Sequence, residues 1–236
     1  MSDGSKLKNP WLKLPKAPKL KGVQILLLDT EDATLNQVQI RMGAPIRQRL
    51  GKKGWYAHSI AGQILGGDFS ARLNKRLRVK EGLTYGARYR TGYDDQQSSL
   101  GYMSTFTSPK DLARAIKVAR EEITRFLTKP IPDGEIEAVK QRITRGFVFR
   151  FETASKVLGE YLDLWLDQLP DSHLSEFPEK INAVSSKDLG PALKDFPNKN
   201  YVIVLVGNTA MTADVEKIAK SLGAKLTIVK KDFLGI

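Results

Sequence analysis

The period of the apolar residues changes repeatedly along the chain, between the two-residue repeat of a strand and the 3.6-residue repeat of a helix. From the amino end, the pattern predicts two strands, two helices, two strands, four helices, a strand, a helix and a last strand. This order indicates an α+β domain whose largely antiparallel sheet is covered by helices, with the first two strands adjacent. The predicted strands are residues 23–28, 36–42, 84–93, 99–107, 201–206 and 225–229, and the predicted helices are 56–65, 70–80, 112–127, 133–170, 174–183, 187–194 and 213–222.

Composition excludes several classes of protein. The 236 residues include no cysteine, which excludes a disulfide framework and a thiolate metal site. No uninterrupted apolar run approaches the roughly 18 residues of a membrane-spanning helix, so no membrane partner is expected. Three prolines among lysines make residues 1–19 an expected basic linker or tail. Residues 20–236 are long enough to bury a core and are predicted to form a single domain.

The formal charge of +12 is concentrated in two parts of the sequence. Residues 1–22 contain six lysines and one aspartate, and residues 41–90 contain twelve Lys or Arg and two acidic residues. A basic patch of this kind can bind nucleic acid, an acidic peptide or an acidic partner protein. A nucleic-acid partner is disfavoured, because the basic block contains no known nucleic-acid-binding motif and its neighbouring aromatic residues are scattered.

Motifs for independent catalysis are missing from the sequence. The spacing Gly62-x-x-x-x-Gly67 is that of a phosphate-binding loop, but Asp68-Phe69 follows where a lysine and a hydroxyl residue are required. His173 begins a near match to the zinc motif H-x-x-E-H, with Phe177 at the last ligand position. We therefore expect His173, like His58, to be a surface residue without a metal. There is also no nucleophile elbow, G-x-S-x-G.

One segment points to a known family. Residues 66–87 read GGDFSARLNKRLRVKEGLTYGA. They closely resemble the segment GGxFSSRLxxxLRExxGLxY of the pitrilysin/insulinase family of zinc metallopeptidases, the inverzincins, which include the mitochondrial processing peptidases. Residues 28–43, 151–153 and 202–207 also match the family in kind and order, so the resemblance covers nearly all of residues 20–229. It implies one inverzincin-type domain from a family whose members pair two or four such domains.

The resemblance also assigns this chain to one kind of domain. In the family, one domain or subunit carries H-x-x-E-H and the zinc, while a later domain supplies an arginine and a tyrosine to the same chamber. Arg78 and Tyr85 stand where that pair stands, and the zinc motif is absent, which implies the C-terminal, non-zinc domain. One departure is Val79, at a position that is usually acidic. We expect Arg78 near the end of a helix and Tyr85 on the following strand, with Phe69 in the core.

The resemblance implies a non-catalytic domain or subunit of a zinc metalloendopeptidase that is inactive alone. It would complete the substrate chamber, bind an extended peptide by strand addition, and use Arg78 and Tyr85 to stabilise the oxyanion. The expected partners are a zinc-bearing H-x-x-E-H domain, the peptide and a second copy of the chain, with no cofactor in this chain. The alternative is a structural or assembly protein of the same fold. By the same resemblance the expected location is the periplasm, or the mitochondrion in a eukaryote.

Overall fold

The computed structural model describes residues 19–32, 34–46, 52–92, 99–167 and 169–230. Nearly all of the predicted tail lies outside these residues. The strands are β1 (Val23–Asp29), β2 (Val38–Ile46), β3 (Ala87–Gly92), β4 (Ser99–Thr107), β5 (Tyr201–Gly207) and β6 (Lys225–Lys230). The helices are α1 (Lys53–Gly66), a π-helix (Asn74–Lys80), α2 (Leu112–Thr128), α3 (Asp133–Phe147), α4 (Ala154–Leu166), α5 (Ser172–Asn182), α6 (Ser186–Ala192) and α7 (Thr212–Leu222).

The six strands form one sheet in the order β3-β4-β2-β5-β1-β6. β3 with β4, β4 with β2 and β2 with β5 are antiparallel, whereas β1 is parallel to both β5 and β6. The α+β class is confirmed. The sheet is mixed, and its antiparallel part runs from β3 through β4 and β2 to β5. The prediction that β1 and β2 are adjacent was wrong, because β5 inserts between them and pairs with both.

The core lies between the sheet and a single layer of helices. Alternate strand residues, such as Ile25, Ile40 and Ile203, point into this layer and are fully buried. Helices α1, α2, α3, α5, α6 and α7 all contribute buried residues to the same cluster. The intervening strand residues point to the opposite face, where no described helix covers them, and they are exposed or half-buried. The domain is therefore two-layered, with one open sheet face.

Gly66, at the end of α1, fixes how closely that helix approaches β3. A Cβ atom at this position would lie 2.8 Å from the Tyr89 Cβ and closer still to the Tyr89 backbone nitrogen. Only glycine therefore fits between the helix and the strand, which positions the π-helix that follows.

Both histidines are buried, which corrects the expectation that they lie on the surface. His58 on α1 is fully buried and packs against Phe196, with 4.5 Å between the ring centroids and a tilt of 32° between the rings. His173 is 6% exposed at the start of α5, beside Tyr56. Both sit on the apolar stripes of their helices, and neither belongs to a cluster that could hold a metal among the described residues.

The single helix predicted over residues 133–170 is two helices. α3 ends at Phe147, a 3-10 turn follows over Val148–Phe151, and Thr153 begins α4 by accepting a hydrogen bond from the Lys156 backbone N–H at 3.3 Å. The break leaves large apolar side chains in solvent, each 48–66% exposed. We call this set the α4 surface: Val148, Phe149, Leu158, Tyr161, Leu162 and Trp165.

Candidate functional site

Arg78 and Tyr85 line the same cleft, at the edge where the open sheet face meets the helical layer. The cleft has a volume of about 550 Å³. Both side chains are exposed, and that of Tyr85 is 79% accessible. The strand residue Phe106 and the loop residues Asn36 and Gln37 complete this part of its lining.

The position of Arg78 follows from the way the π-helix ends. Gly82 adopts a left-handed conformation with φ of +64°, which stops the helix. The Gly82 N–H donates to the Arg78 carbonyl at 3.2 Å, and the Leu83 N–H donates to the Leu77 carbonyl at 2.9 Å. Each bond spans one residue more than the corresponding bond of a Schellman motif, which fits the wider turn of a π-helix, and Leu77 and Leu83 are both buried. Arg78 is thus held on the last turn, as predicted.

Tyr85 lies in the loop between Gly82 and β3, so the prediction that it lies on a strand was wrong. Hydroxyl groups from β4 hold this loop. The Thr107 hydroxyl donates to the Leu83 carbonyl at 2.7 Å, and the Thr105 hydroxyl donates to the Gly86 carbonyl at 2.9 Å. These side-chain bonds satisfy the loop in place of a strand ladder, and they leave the Tyr85 ring in solvent.

Each candidate residue rests on an aromatic ring. The guanidinium of Arg78 lies 4.5 Å from the ring centroid of Phe69, and the ring of Tyr85 stacks on Phe106 at 6.4 Å. Phe69 is 58% exposed, so its predicted place in the core was wrong. A guanidinium on a ring face keeps its N–H groups free in its own plane. The hydroxyl of Tyr85 likewise has no hydrogen-bond partner among the residues that the structure describes.

An ion-pair network connects the π-helix to α2. Glu81 contacts Arg76 at 2.9 Å and Arg114 at 2.7 Å. The hydrogen bond from Arg114, together with the charge of Arg76, holds the pKa of the Glu81 carboxyl below its usual value. Arg72 forms a bidentate pair with Glu135 of α3, at 3.0 and 2.6 Å. Arg72 and Arg76 therefore fix the helix that carries Arg78.

Asn74 is a functional support that the sequence analysis missed. It is 4% exposed, donates to the Asp68 carbonyl at 2.7 Å, and accepts from the Ala87 N–H at 2.9 Å. It therefore joins the turn before the π-helix to the start of β3, on either side of Arg78 and Tyr85. The signal in the sequence was an uncharged amide at a helical position whose neighbours three residues away, Ala71 and Leu77, are both apolar.

The described residues contain no group of three or more His, Asp or Glu side chains that could hold a metal ion. The same part of the chain has no helix that is long and apolar enough to cross a membrane. What the cleft offers is a pair of hydrogen-bond donors, a guanidinium and a phenol, held on rigid supports. Such a pair can stabilise negative charge on an oxygen, and it cannot by itself activate water by metal coordination.

Comparisons with known proteins agree on the kind of domain. Residues 3–143 match the family described as the peptidase M16 inactive domain. A curated relative from Helicobacter pylori, the non-peptidase homolog YmxG, is 24% identical over 175 residues, which are 74% of this chain and 39% of that protein. The chain therefore spans about two fifths of the length of this relative.

Solved structures share the fold. A peptidase M16 inactive domain from Pseudomonas fluorescens superposes with a TM-score of 0.71 at 20% identity, covering 84% of this chain and 46% of that one. A protease from Helicobacter pylori gives a TM-score of 0.68 at 16% identity, covering 87% of this chain and 48% of that one. This chain corresponds to slightly less than half of each.

Proposed function

Because the chain belongs to the family of peptidase M16 inactive domains, we propose that it is the non-catalytic part of a two-part zinc metallopeptidase. The chain covers less than half of the Pseudomonas fluorescens and Helicobacter pylori structures that share its fold, and the remainder of each leaves room for a second domain of similar size. That second domain would hold the zinc and the general base. This chain would close the substrate chamber and contribute donors to it.

The observation that carries the proposal is the convergence of Arg78 and Tyr85 on one cleft. Hydrolysis of a peptide bond develops negative charge on the carbonyl oxygen, and preorganised donors stabilise that charge more in the transition state than in the ground state. Phe69 and Phe106 support the two side chains without using their donor groups. A buried tyrosine whose hydroxyl is already bonded could not act in this way, whereas Tyr85 can.

The α4 surface supports the pairing with a second domain. Its six apolar side chains are contiguous in sequence or at helical spacing, and they are about half or more exposed. Soluble proteins that expose large apolar patches usually cover them with a partner. We assign the zinc-bearing domain to this surface, because the part of the chain that matches two of its structural relatives accounts for less than half of each of them. Self-association through the same surface is the outcome expected when that partner is absent.

The alternative function is a structural or assembly role without peptide hydrolysis. It is favoured by the similarity to the Helicobacter pylori protein that is described as a non-peptidase homolog. In that role Arg78 and Tyr85 would be surface residues, and their substitution would leave the partner's activity unchanged.

The deciding experiment measures peptide hydrolysis by this chain together with its zinc-bearing partner. We expect Tyr85→Phe and Arg78→Ala each to lower kcat by about 10²–10³ with little change in KM, since loss of one oxyanion donor has that effect. Arg145→Ala removes an exposed arginine on α3 and is the matched control, with no expected effect. The chain alone should hydrolyse nothing and retain no stoichiometric zinc after dialysis. Full activity of Tyr85→Phe would favour the structural role.

A further inference from the structure

The open sheet face has an uneven charge. On β2, β3 and β4 it presents Arg41, Arg88 and Arg90, all exposed, and the described positions of this face include no acidic residue. None of the three arginines forms an ion pair with a described residue. Arginines on the helical layer, by contrast, are largely paired with carboxylates. Within the described ranges, the β2, β3 and β4 half of this face is therefore a basic surface without paired carboxylates.

The strand register arranges these arginines along β4. Arg41 on β2 and Arg88 on β3 both lie opposite Ser104, one on each side. Arg90 lies opposite Tyr102, two residues further along, and the guanidinium of Arg41 is 5.7 Å from the Tyr102 ring centroid. With strands about 4.8 Å apart, Arg41 and Arg88 are separated by roughly 10 Å at their Cα atoms. We call this row of residues along β4 the arginine channel.

The arginine channel continues directly into the cleft. Phe106 faces the same side of β4 as Ser104 and also lines the cleft, where it stacks on Tyr85. Successive residues on one face of a strand are roughly 7 Å apart. Consider an extended peptide that occupies the cleft and runs along β4. Counted from its residue over Phe106, it would reach Arg88 and Arg41 after about two residues and Arg90 after about four.

We propose that the arginine channel binds an acidic stretch of the polypeptide substrate, with carboxylates two to four residues from the bond held in the cleft. This inference rests on the proposed function and adds the substrate class. Side chains on one face of an extended peptide repeat every two residues, which matches the spacing of Arg88 and Arg90 on their strand. Guanidinium groups bind carboxylates with paired hydrogen bonds, and none of these three donates a hydrogen bond to a residue that the structure describes.

A peptide fits the surface better than a nucleic acid does. Proteins that bind single-stranded nucleic acid stack its bases on exposed aromatic rings. The two aromatic rings of this face are already covered, Tyr102 by Arg41 and Phe106 by Tyr85. The neighbouring strands β5 and β1 present aliphatic side chains, among them Val204 and Leu26, which suit the apolar residues of a polypeptide.

The test uses the full chain and two fluorescent twelve-residue peptides, one with three glutamates at alternate positions and one with glutamines in their place. Anisotropy at low salt should show about tenfold tighter binding of the glutamate peptide. The preference should fall several-fold when NaCl is raised from about 25 to about 250 mM, because the pairs are exposed. The triple variant Arg41→Gln/Arg88→Gln/Arg90→Gln should lose the preference for the glutamate peptide over the glutamine peptide.

Two control variants and one competitor make the result decisive. Arg41→Lys/Arg88→Lys/Arg90→Lys keeps the charge and should keep most of the preference. Changing Lys129, Lys187 and Lys220, exposed lysines of the helical layer, to glutamine removes equal charge elsewhere and should leave the preference intact. Equal affinity for the two peptides, including no binding of either, overturns the proposal. Tighter binding of a twelve-nucleotide single-stranded DNA than of the glutamate peptide also overturns the proposal. The assay measures peptide binding and not hydrolysis. Failure of the proposed oxyanion role would therefore leave the binding preference unaffected.

Discussion

The buried His58 should make the stability of this domain depend on pH between about 6.5 and about 4. Its Nδ1 lies 3.3 Å from the Ala192 carbonyl oxygen and donates to it in the neutral form. Its Nε2 is buried and has no hydrogen-bond partner among the described residues. Protonation would place a charge and an unsatisfied N–H in this apolar site. Burial therefore lowers the pKa of His58 from 6.5 to about 4, and the hydrogen bond to the Ala192 carbonyl and the charge of Asp195 offset this only in part.

The size of the effect follows from proton linkage. Because the folded-state pKa is below the unfolded one, the unfolded chain takes up the proton first as the pH falls. The contribution of His58 is fully present above pH 6.5 and is lost as the pH falls toward 4. Between pH 7.5 and pH 5 this loss is about 2 kcal/mol of unfolding free energy, approaching about 3 kcal/mol at lower pH.

Urea unfolding of the wild type and His58→Gln at the two pH values measures this directly. Glutamine keeps an N–H for the Ala192 carbonyl but does not titrate, so the wild type should lose about 2 kcal/mol more than the variant between pH 7.5 and pH 5. The pKa of His173 is also lowered by burial, but His173 is present in both proteins and its effect cancels. Parallel pH profiles of the two proteins would refute the buried, neutral state of His58.

Two further predictions concern packing and assembly. Gly66→Ala should cost about 3 kcal/mol or more in urea unfolding, because its methyl group overlaps the Tyr89 backbone, whereas Gly134→Ala in α3, which meets no atom within 4 Å, should be neutral or gain up to about 1 kcal/mol. On the α4 surface, Leu162→Asp should weaken co-sedimentation with the zinc-bearing partner at least about tenfold while leaving the melting temperature nearly unchanged, because Leu162 is half-exposed. Unchanged co-sedimentation would show that the partner binds elsewhere.

The sequence predicts local structure well where one periodicity runs uninterrupted. The predicted range 99–107 coincides with β4, and α7 ends at Gly223, whose φ of +57° is typical of a helix terminator. The break at Val148–Phe151 was missed because apolar residues continue through it at near-helical spacing. The pairing of β1 with β5 was missed because hydrophobic pattern reports which face of a strand is buried, not which strand lies beside it.

The candidate site was predicted through family resemblance, and its supports were not. Arg78 and Tyr85 do line one cleft. Phe69 was placed in the core because a phenylalanine at helical spacing usually is buried, but its ring here supports a guanidinium at the surface. Asn74 and Thr107 act through contacts that are distant in sequence or cross elements, which spacing cannot show. The oxyanion role and the periplasmic location stay predictions.

The insertion of β5 between β1 and β2 sets an order on folding during synthesis. β1 and β2 leave the ribosome within seconds of each other. They cannot be joined in the sheet until residues 201–207 have been made, because β5 lies between them and pairs with both. Until then β1 has no described neighbour in the sheet, and the edge of β2 that faces it is unpaired. Exposed strand edges of this kind invite aggregation. A ribosome stalled anywhere in the helical segment between β4 and β5 would therefore hold a half-built sheet, and that nascent chain is a natural client for a chaperone.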